Sequence, residues 1–76
     1  MREKKLRLIV TFHTTAAAMA AESTCSEKGV PGRLIPVPRE ITAGCGMAWM
    51  APVEARTEIE AALGGILVDG YYEIII

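Results

Sequence analysis

The sequence predicts one α+β domain over residues 1–76, with a four-stranded antiparallel sheet and two helices on one face of it. Three observations carry this prediction: apolar segments that alternate, two segments of helical composition, and proline or glycine at the breaks between them. Of the 76 residues, 51% are hydrophobic, which suffices for one small core and argues against disorder. The predicted order of elements is β-α-β-β-α-β.

The first strand and the first helix have the clearest signals. From Leu6 to Phe12 every second residue is apolar, which is typical of a half-buried strand. A helix is predicted from Thr15 to Lys28, because its alanines favour helix and Gly29 can end it. Either Thr14 or Thr15 can supply the oxygen that caps the helix N-terminus.

The remaining elements are shorter and depend more on the residues that bound them. They are strands at Arg33–Val37, Met47–Ala51 and Tyr71–Ile76, and a second helix from Pro52 to about Leu63. Pro36 and Pro38 lack a backbone donor, so the second strand is expected at a sheet edge.

This order of elements is that of the ferredoxin-like arrangement, in which right-handed crossovers give the strand order 4-1-3-2. The sheet face without helices would then carry Arg7, Ile9 and Thr11 and be open to solvent. Its apolar members make it a candidate face for a homodimer.

Charge and hydropathy exclude several classes of protein. The net charge is −1, and four of the eight basic residues crowd the first seven positions, whereas a nucleic-acid binder needs a broader basic face with stacking aromatics. No segment approaches the ~20 apolar residues that span a bilayer. The start imitates a secretory signal, but His13 and the two threonines after it interrupt the apolar stretch. We therefore predict a cytoplasmic protein that binds neither nucleic acid nor membrane.

The two cysteines, Cys25 and Cys45, are too few for a disulfide framework. Beside them stands only His13, so a closed zinc site would need carboxylates as well, and we predict no metal and no cofactor. Cys25 falls late in the first helix on the face that holds Ala18 and Ala21, which indicates a small core residue.

Cys45 is the candidate functional residue. Gly44 and Gly46 flank it and remove side-chain bulk on both sides, and its loop is longer than a usual hairpin connection. The alternative is that Cys45 begins a strand as a small buried hydrophobe, with the glycines serving a bulge. The residue pattern leaves both interpretations open.

The predicted topology gives Cys45 two neighbours from other parts of the chain, His13 and Thr14. The first strand ends at the sheet edge where the third begins, so His13, Thr14 at the helix N-terminus and the Cys45 loop should meet there. A helix N-terminus or a nearby cation lowers the pKa of a thiol and makes it more reactive. Arg39, in the same loop, is either an anion-binding residue or an ordinary surface charge.

Two segments carry a resemblance to a known family. The run IPVPREITAGCG, residues 35–46, and the stretch VTFHTTAAAMAAE, residues 10–22, resemble the family of small bacterial selenium/sulfur carrier-like proteins. The resemblance implies a protein that holds a sulfur or selenium atom on the cysteine matching Cys45. The implied partners are donor and acceptor proteins, such as a cysteine desulfurase or a TusA-like sulfur carrier.

The predicted function is therefore a sulfur or selenium carrier rather than a stand-alone enzyme. The alternative is a non-catalytic ligand-binding or regulatory dimer module, in which Cys45 is incidental. A small structural subunit that docks through its open sheet face is a third interpretation. A stand-alone enzyme is the least favoured, because the sequence shows no acid/base pair and no phosphate-binding glycine motif.

Overall fold

The chain forms a four-stranded antiparallel sheet and two helices, so the predicted α+β class is confirmed. This computed structural model describes residues 5–39, 41, 46–64, 66 and 68–76. The elements are β1 (Leu6–Phe12), α1 (Thr15–Lys28), β2 (Arg33–Pro36), β3 (Met47–Pro52), α2 (Arg56–Ala62) and β4 (Val68–Ile75). Across the sheet the strands follow the order β2-β3-β1-β4, which is 4-1-3-2 when counted from the other edge.

Helix α1 begins and ends at the predicted residues, because a cap closes each end. The side-chain oxygen of Thr14 accepts a hydrogen bond from the Ala17 N–H at 3.1 Å. Gly29 adopts the left-handed conformation, with φ 69°, and its N–H reaches the carbonyl oxygens of Cys25 and Ser26. The predicted bounds of β1 and α1 are both confirmed.

The main core lies between the helices and the sheet. Leu8, Val10 and Phe12 of β1 are fully buried there, and Trp49 of β3 is 3% exposed. Helix α1 contributes only small residues to this core: Ala18, Ala21 and Cys25. Small side chains let the helix lie close to the sheet, and the prediction that Cys25 is a core residue is confirmed.

The opposite sheet face is not open where the sequence predicted it to be. Ile9 and Thr11 are both 0% exposed. Ile41, from the connection between β2 and β3, packs on this face with Ile9 and Ala48 in a second apolar cluster. The prediction of an uncovered face is therefore wrong around Ile9, because Ile41 packs there. It is also wrong at Thr11, whose hydroxyl is buried against Asp69 and Gly70.

Several element bounds in the second half also differ from the prediction: β3 runs one residue further, to Pro52, and β4 ends one residue earlier, at Ile75. A short 3-10 turn, Val53–Ala55, precedes α2, which begins only at Arg56. Strand β4 begins at Val68, so Asp69 and Gly70 belong to the strand instead of preceding it. Pairing with the buried strand β1 outweighs the turn preference of an Asp-Gly sequence, since Thr11 lies opposite Gly70.

Candidate functional site

Three elements meet at one end of the sheet. Strand β1 ends there at Phe12, and β4 begins there, because Phe12 lies opposite Val68. Strand β3 also begins there, because Thr11 lies opposite Ala48, one residue after the strand start. The residues that follow β1 and precede β3, His13 and Gly46, therefore belong to the same end of the sheet, as predicted.

The base of the candidate loop is fixed by backbone hydrogen bonds. The Val37 N–H donates to the Gly46 carbonyl at 3.0 Å, and the Ile41 N–H donates to the Pro38 carbonyl at 3.0 Å. Gly46 has φ 77°, a left-handed conformation that favours glycine. Gly44 and Cys45 lie outside the described residues. The structure therefore gives the position of Gly46, the next residue, but not that of the Cys45 thiol.

His13 contacts an acidic residue that the sequence did not single out as a site residue. The distance between His13 Nε2 and Asp69 Oδ1 is 3.5 Å, so the protonated imidazole forms an ion pair with this carboxylate. The other carboxylate oxygen, Oδ2, accepts from the buried Thr11 hydroxyl at 3.3 Å. The His13 side chain remains 59% exposed. Asp69 thus contacts both Thr11, near the end of β1, and the imidazole of His13, which solvent and ligands can reach.

Asp69 occupies this position because of an irregularity in strand pairing. Thr11 pairs with Gly70 and Phe12 with Val68, so Asp69 is the extra residue of a bulge. Bulges redirect side chains at sheet ends, which brings the carboxylate to both Thr11 and His13. The sequence signal for this feature was the Asp-Gly pair just before the predicted last strand, but the sequence did not show how that pair lies against β1.

The first turn of α1 adds backbone donors at this end. Thr14 caps the Ala17 N–H, and the Ala18 N–H donates to the Thr14 carbonyl at 3.2 Å. The N–H groups of Thr15 and Ala16 have no partner among the described residues, and the first turn has no acidic residue. Such a helix end attracts negative charge. Of the two predicted cap residues, Thr14 is the one that caps α1.

Arg39 lies in the turn that the Pro38–Ile41 hydrogen bond closes, and its side chain is exposed. It makes no ion pair with any residue that the structure describes. An exposed guanidinium in the connection that leads to Cys45 can bind an anion, so Arg39 stays a predicted supporting residue.

The second thiol has a different environment. Cys25 is free and fully buried, and desolvation by burial raises the pKa of its thiol from the ordinary value of 9.0, although Lys28 opposes the shift. It lies ten residues after Thr15, roughly 15 Å along the helix axis. Cys25 borders a shallow groove of about 380 Å³ together with Glu22, Gly32 and Trp49. A protonated, buried thiol is a poor nucleophile, so Cys25 is a packing residue in this structure.

The part of the chain that the structure describes shows neither a candidate metal site nor a membrane-spanning helix. There, no three His, Cys, Asp or Glu residues are grouped so that they could hold a metal ion. Likewise, no described helix is long and apolar enough to cross a membrane.

Comparison with protein families gives one result. Residues 7–73 match the model of the family described as "Putative Se/S carrier protein-like". The match covers more than half of the chain, including both segments that carried the resemblance in the sequence. Neither the comparison with curated proteins nor that with solved structures finds a match.

Proposed function

Because the chain belongs to the Se/S carrier protein-like family, we propose that it carries sulfur or selenium on Cys45 and passes it to a partner protein. The observation that carries this proposal is the meeting of His13, the open first turn of α1 and Gly46 at one end of the sheet. Cys45 is bonded directly to Gly46. The chain therefore enters the reactive loop beside a base and beside backbone donors.

The proposed reaction transfers one sulfur atom between thiols. The Cys45 thiolate attacks the outer sulfur of a donor persulfide, R–S–SH. A new S–S bond forms at Cys45 while the donor S–S bond breaks, and the donor leaves as a thiolate that takes up a proton. Cys45 then bears the persulfide, and attack by an acceptor thiol on its outer sulfur reverses these steps. No outside oxidant or reductant is needed, and a selenium atom follows the same course.

The described residues supply three kinds of assistance. The His13 imidazole, held by Asp69, accepts the proton of the attacking thiol. The unpartnered N–H groups at the start of α1 stabilise the terminal anion of the persulfide. Arg39 adds a positive charge from the same connection. Cys25 has no part in the transfer, because its thiol is buried and stays protonated.

The proposed donor is a cysteine desulfurase or a TusA-like carrier, and the proposed compartment is the cytoplasm, where Cys45 stays reduced. We also assign the chain to the ferredoxin-like arrangement, on the basis of its order of elements and strands. We do not retain the homodimer through the helix-free sheet face in this proposal. Ile9 and Thr11 are buried there, and the rest of the face carries Arg7 and Arg33, which would meet the same cations of a second copy.

Intact-protein mass spectrometry after incubation with a cysteine desulfurase and cysteine tests the proposal. We expect the wild type and Cys25→Ser to gain the mass of one sulfur atom, removable by dithiothreitol, and Cys45→Ser to gain none. Polysulfide and a selenium donor serve as small-molecule arms that need no protein contact. If no donor gives an adduct on Cys45, the carrier function is wrong, and the ligand-binding module becomes the better interpretation.

A further inference from the structure

The helix-free sheet face continues beyond the cluster of Ile9, Ile41 and Ala48 into a region that carries positive charge. Its apolar members Met50 and Ile74 pack against that cluster. We call this region the basic sheet patch and define it by the following residues: Lys5, Arg7, Arg33, Met50, Tyr72 and Ile74. Register places them together: Arg7 lies opposite Ile74, Ile9 lies between Met50 and Tyr72, and Met50 lies opposite Arg33. Lys5 exchanges backbone hydrogen bonds with Ile76 at the end of the sheet.

The cations of this patch have no described counter-charge. Among the residues that the structure describes, Lys5, Arg7 and Arg33 form no ion pair. Strand β4 has two carboxylates. One of them, Glu73, lies on the helix side, where it accepts a hydrogen bond from Arg56 at 2.9 Å. Asp69 is at the far end of the sheet with His13. The remaining described acidic residues belong to the helices and the 3-10 turn.

Arg7 carries the strongest indication of an absent partner. Its Nε is buried and has no hydrogen-bond partner among the residues that the structure describes. A buried donor without an acceptor costs about 1–3 kcal/mol, and more when the group is charged. A carboxylate bound side-on to a guanidinium accepts from Nε and one terminal nitrogen together. A small rotation of the Arg7 side chain toward such a carboxylate would give this nitrogen an acceptor.

We propose that the basic sheet patch docks an acidic surface of a partner protein, with a partner carboxylate on Arg7. Half-buried Met50 and Ile74 supply apolar contact beside the charge, which is the composition of a protein–protein interface. Lys5 and Arg33 flank the contact and steer the approach of a negatively charged partner.

Charge argues against a second copy of the chain on this face, and the lack of stacking aromatics argues against nucleic acid. In a two-fold dimer the same patch lies on both copies, so the cations of one copy would face those of the other. A nucleic acid would need a series of stacking aromatics, whereas Tyr72, 38% exposed, is the sole aromatic residue of the patch.

The patch is separate from the candidate functional site. Arg7 and His13 are six residues apart on and beyond β1, which is roughly 20 Å along an extended strand. A partner bound on the patch therefore leaves the other end of the sheet free. The inference does not rest on the thiol chemistry, so it can be tested with Cys45→Ser protein.

The test is an NMR titration of Cys45→Ser protein with a short glutamate- and leucine-rich peptide and with the same peptide carrying lysine for glutamate. We expect the acidic peptide alone to shift the backbone amides of Arg7, Met50 and Ile74 saturably. Arg7→Gln should weaken binding about tenfold or more, the equivalent of one lost charge-assisted hydrogen bond. The matched control is Arg56→Gln, which removes the same charge from the helix side and should change binding by less than about twofold.

Several outcomes would overturn the proposal. They are no saturable shift at the patch, equal weakening by Arg7→Gln and Arg56→Gln, or concentration-dependent patch shifts without peptide, which indicate a homodimer. Tighter binding of a single-stranded oligonucleotide or an anionic phosphatidylglycerol vesicle at the same amides would likewise replace it. Should Arg7→Gln fail to fold, the double variant Lys5→Gln/Arg33→Gln provides the same comparison.

Discussion

The backbone N–H of Val37 donates to the carbonyl oxygen of Gly46 across 3.0 Å. This bond extends the β2–β3 ladder one step beyond the last pair, Pro36 and Met47. It closes the base of the connection that contains Cys45, and Gly46 holds φ 77° at that point. The connection that contains Cys45 thus joins the sheet at Gly46, whose left-handed φ favours glycine.

Gly46→Ala is the first prediction. An added Cβ would meet nothing within 4 Å, so the cost comes from the backbone alone and should be about 1 kcal/mol in the free energy of unfolding. Urea denaturation measures it. The control is Gly64→Ala, where φ is not left-handed and the nearest atom is 3.6 Å away, so the change should stay within about 0.5 kcal/mol. Equal effects at the two positions would contradict the backbone argument.

Gly32→Ala should be more destabilising, for a steric reason. A Cβ there would stand 2.6 Å from the Met50 carbonyl oxygen and collide with the Trp49 indole, and φ is 131°. Because both neighbours are packed, we expect a loss of about 2 kcal/mol or more, with a shift in Trp49 fluorescence. Gly29→Ala has a left-handed φ but open space, so it should cost only about 1 kcal/mol and leave the fluorescence unchanged. If Gly29→Ala destabilised the protein more than Gly32→Ala, the packing around Trp49 would be able to accommodate the added Cβ.

Asp69→Asn should separate function from stability. The amide oxygen still accepts from the Thr11 hydroxyl, so the free energy of unfolding should change by less than about 0.5 kcal/mol. The ion pair with His13 is lost, and under the proposed function the rate of persulfide formation on Cys45 should fall about tenfold. Glu73→Gln makes the same chemical change on the other sheet face and should leave the rate unaltered. Equal rates in wild type and Asp69→Asn would remove Asp69 and His13 from the mechanism.

The raised pKa of the Cys25 thiol predicts how the free energy of unfolding changes at alkaline pH. Burial raises the pKa of its thiol above 9.0, so the folded thiol keeps its proton where the unfolded one ionises. Its contribution to stability is complete below pH 9.0 and is lost as the pH rises toward the folded pKa. Tyr71, whose pKa burial raises above 10.0, acts in the same direction at higher pH. We expect urea denaturation to show a shallower alkaline decline in Cys25→Ala than in the wild type. Parallel declines would assign the effect elsewhere.

The sequence predicts best the features that local chemistry determines. The bounds of β1 and α1 follow from strict alternation and from caps at Thr14 and Gly29, and each signal lies within a few residues of the feature. The start of β4 was misplaced because Asp69 and Gly70 favour a turn locally, and only pairing with β1 makes them strand.

The features that the sequence misses depend on residues distant along the chain. The sequence around Ile41 has no helical or strand periodicity, so no local pattern predicts that Ile41 packs on Ile9. The meeting of His13 with Gly46 follows from strand order and could be deduced. The contact between His13 and Asp69 depends on a one-residue bulge, and the register of a bulge is not encoded in any pattern close to it.

The central position of β1 has a consequence during synthesis of the protein. β1 lies between β3 and β4, and β4 is the last of the four strands along the chain. The hydrogen bond between Thr11 and Asp69 spans 58 residues, so this half of the sheet cannot form until β4 has left the ribosome. Until then β1 presents an unpaired edge, which is a template for aggregation. Slower synthesis at lower temperature should therefore give more folded protein, since fewer nascent chains would expose that edge at once.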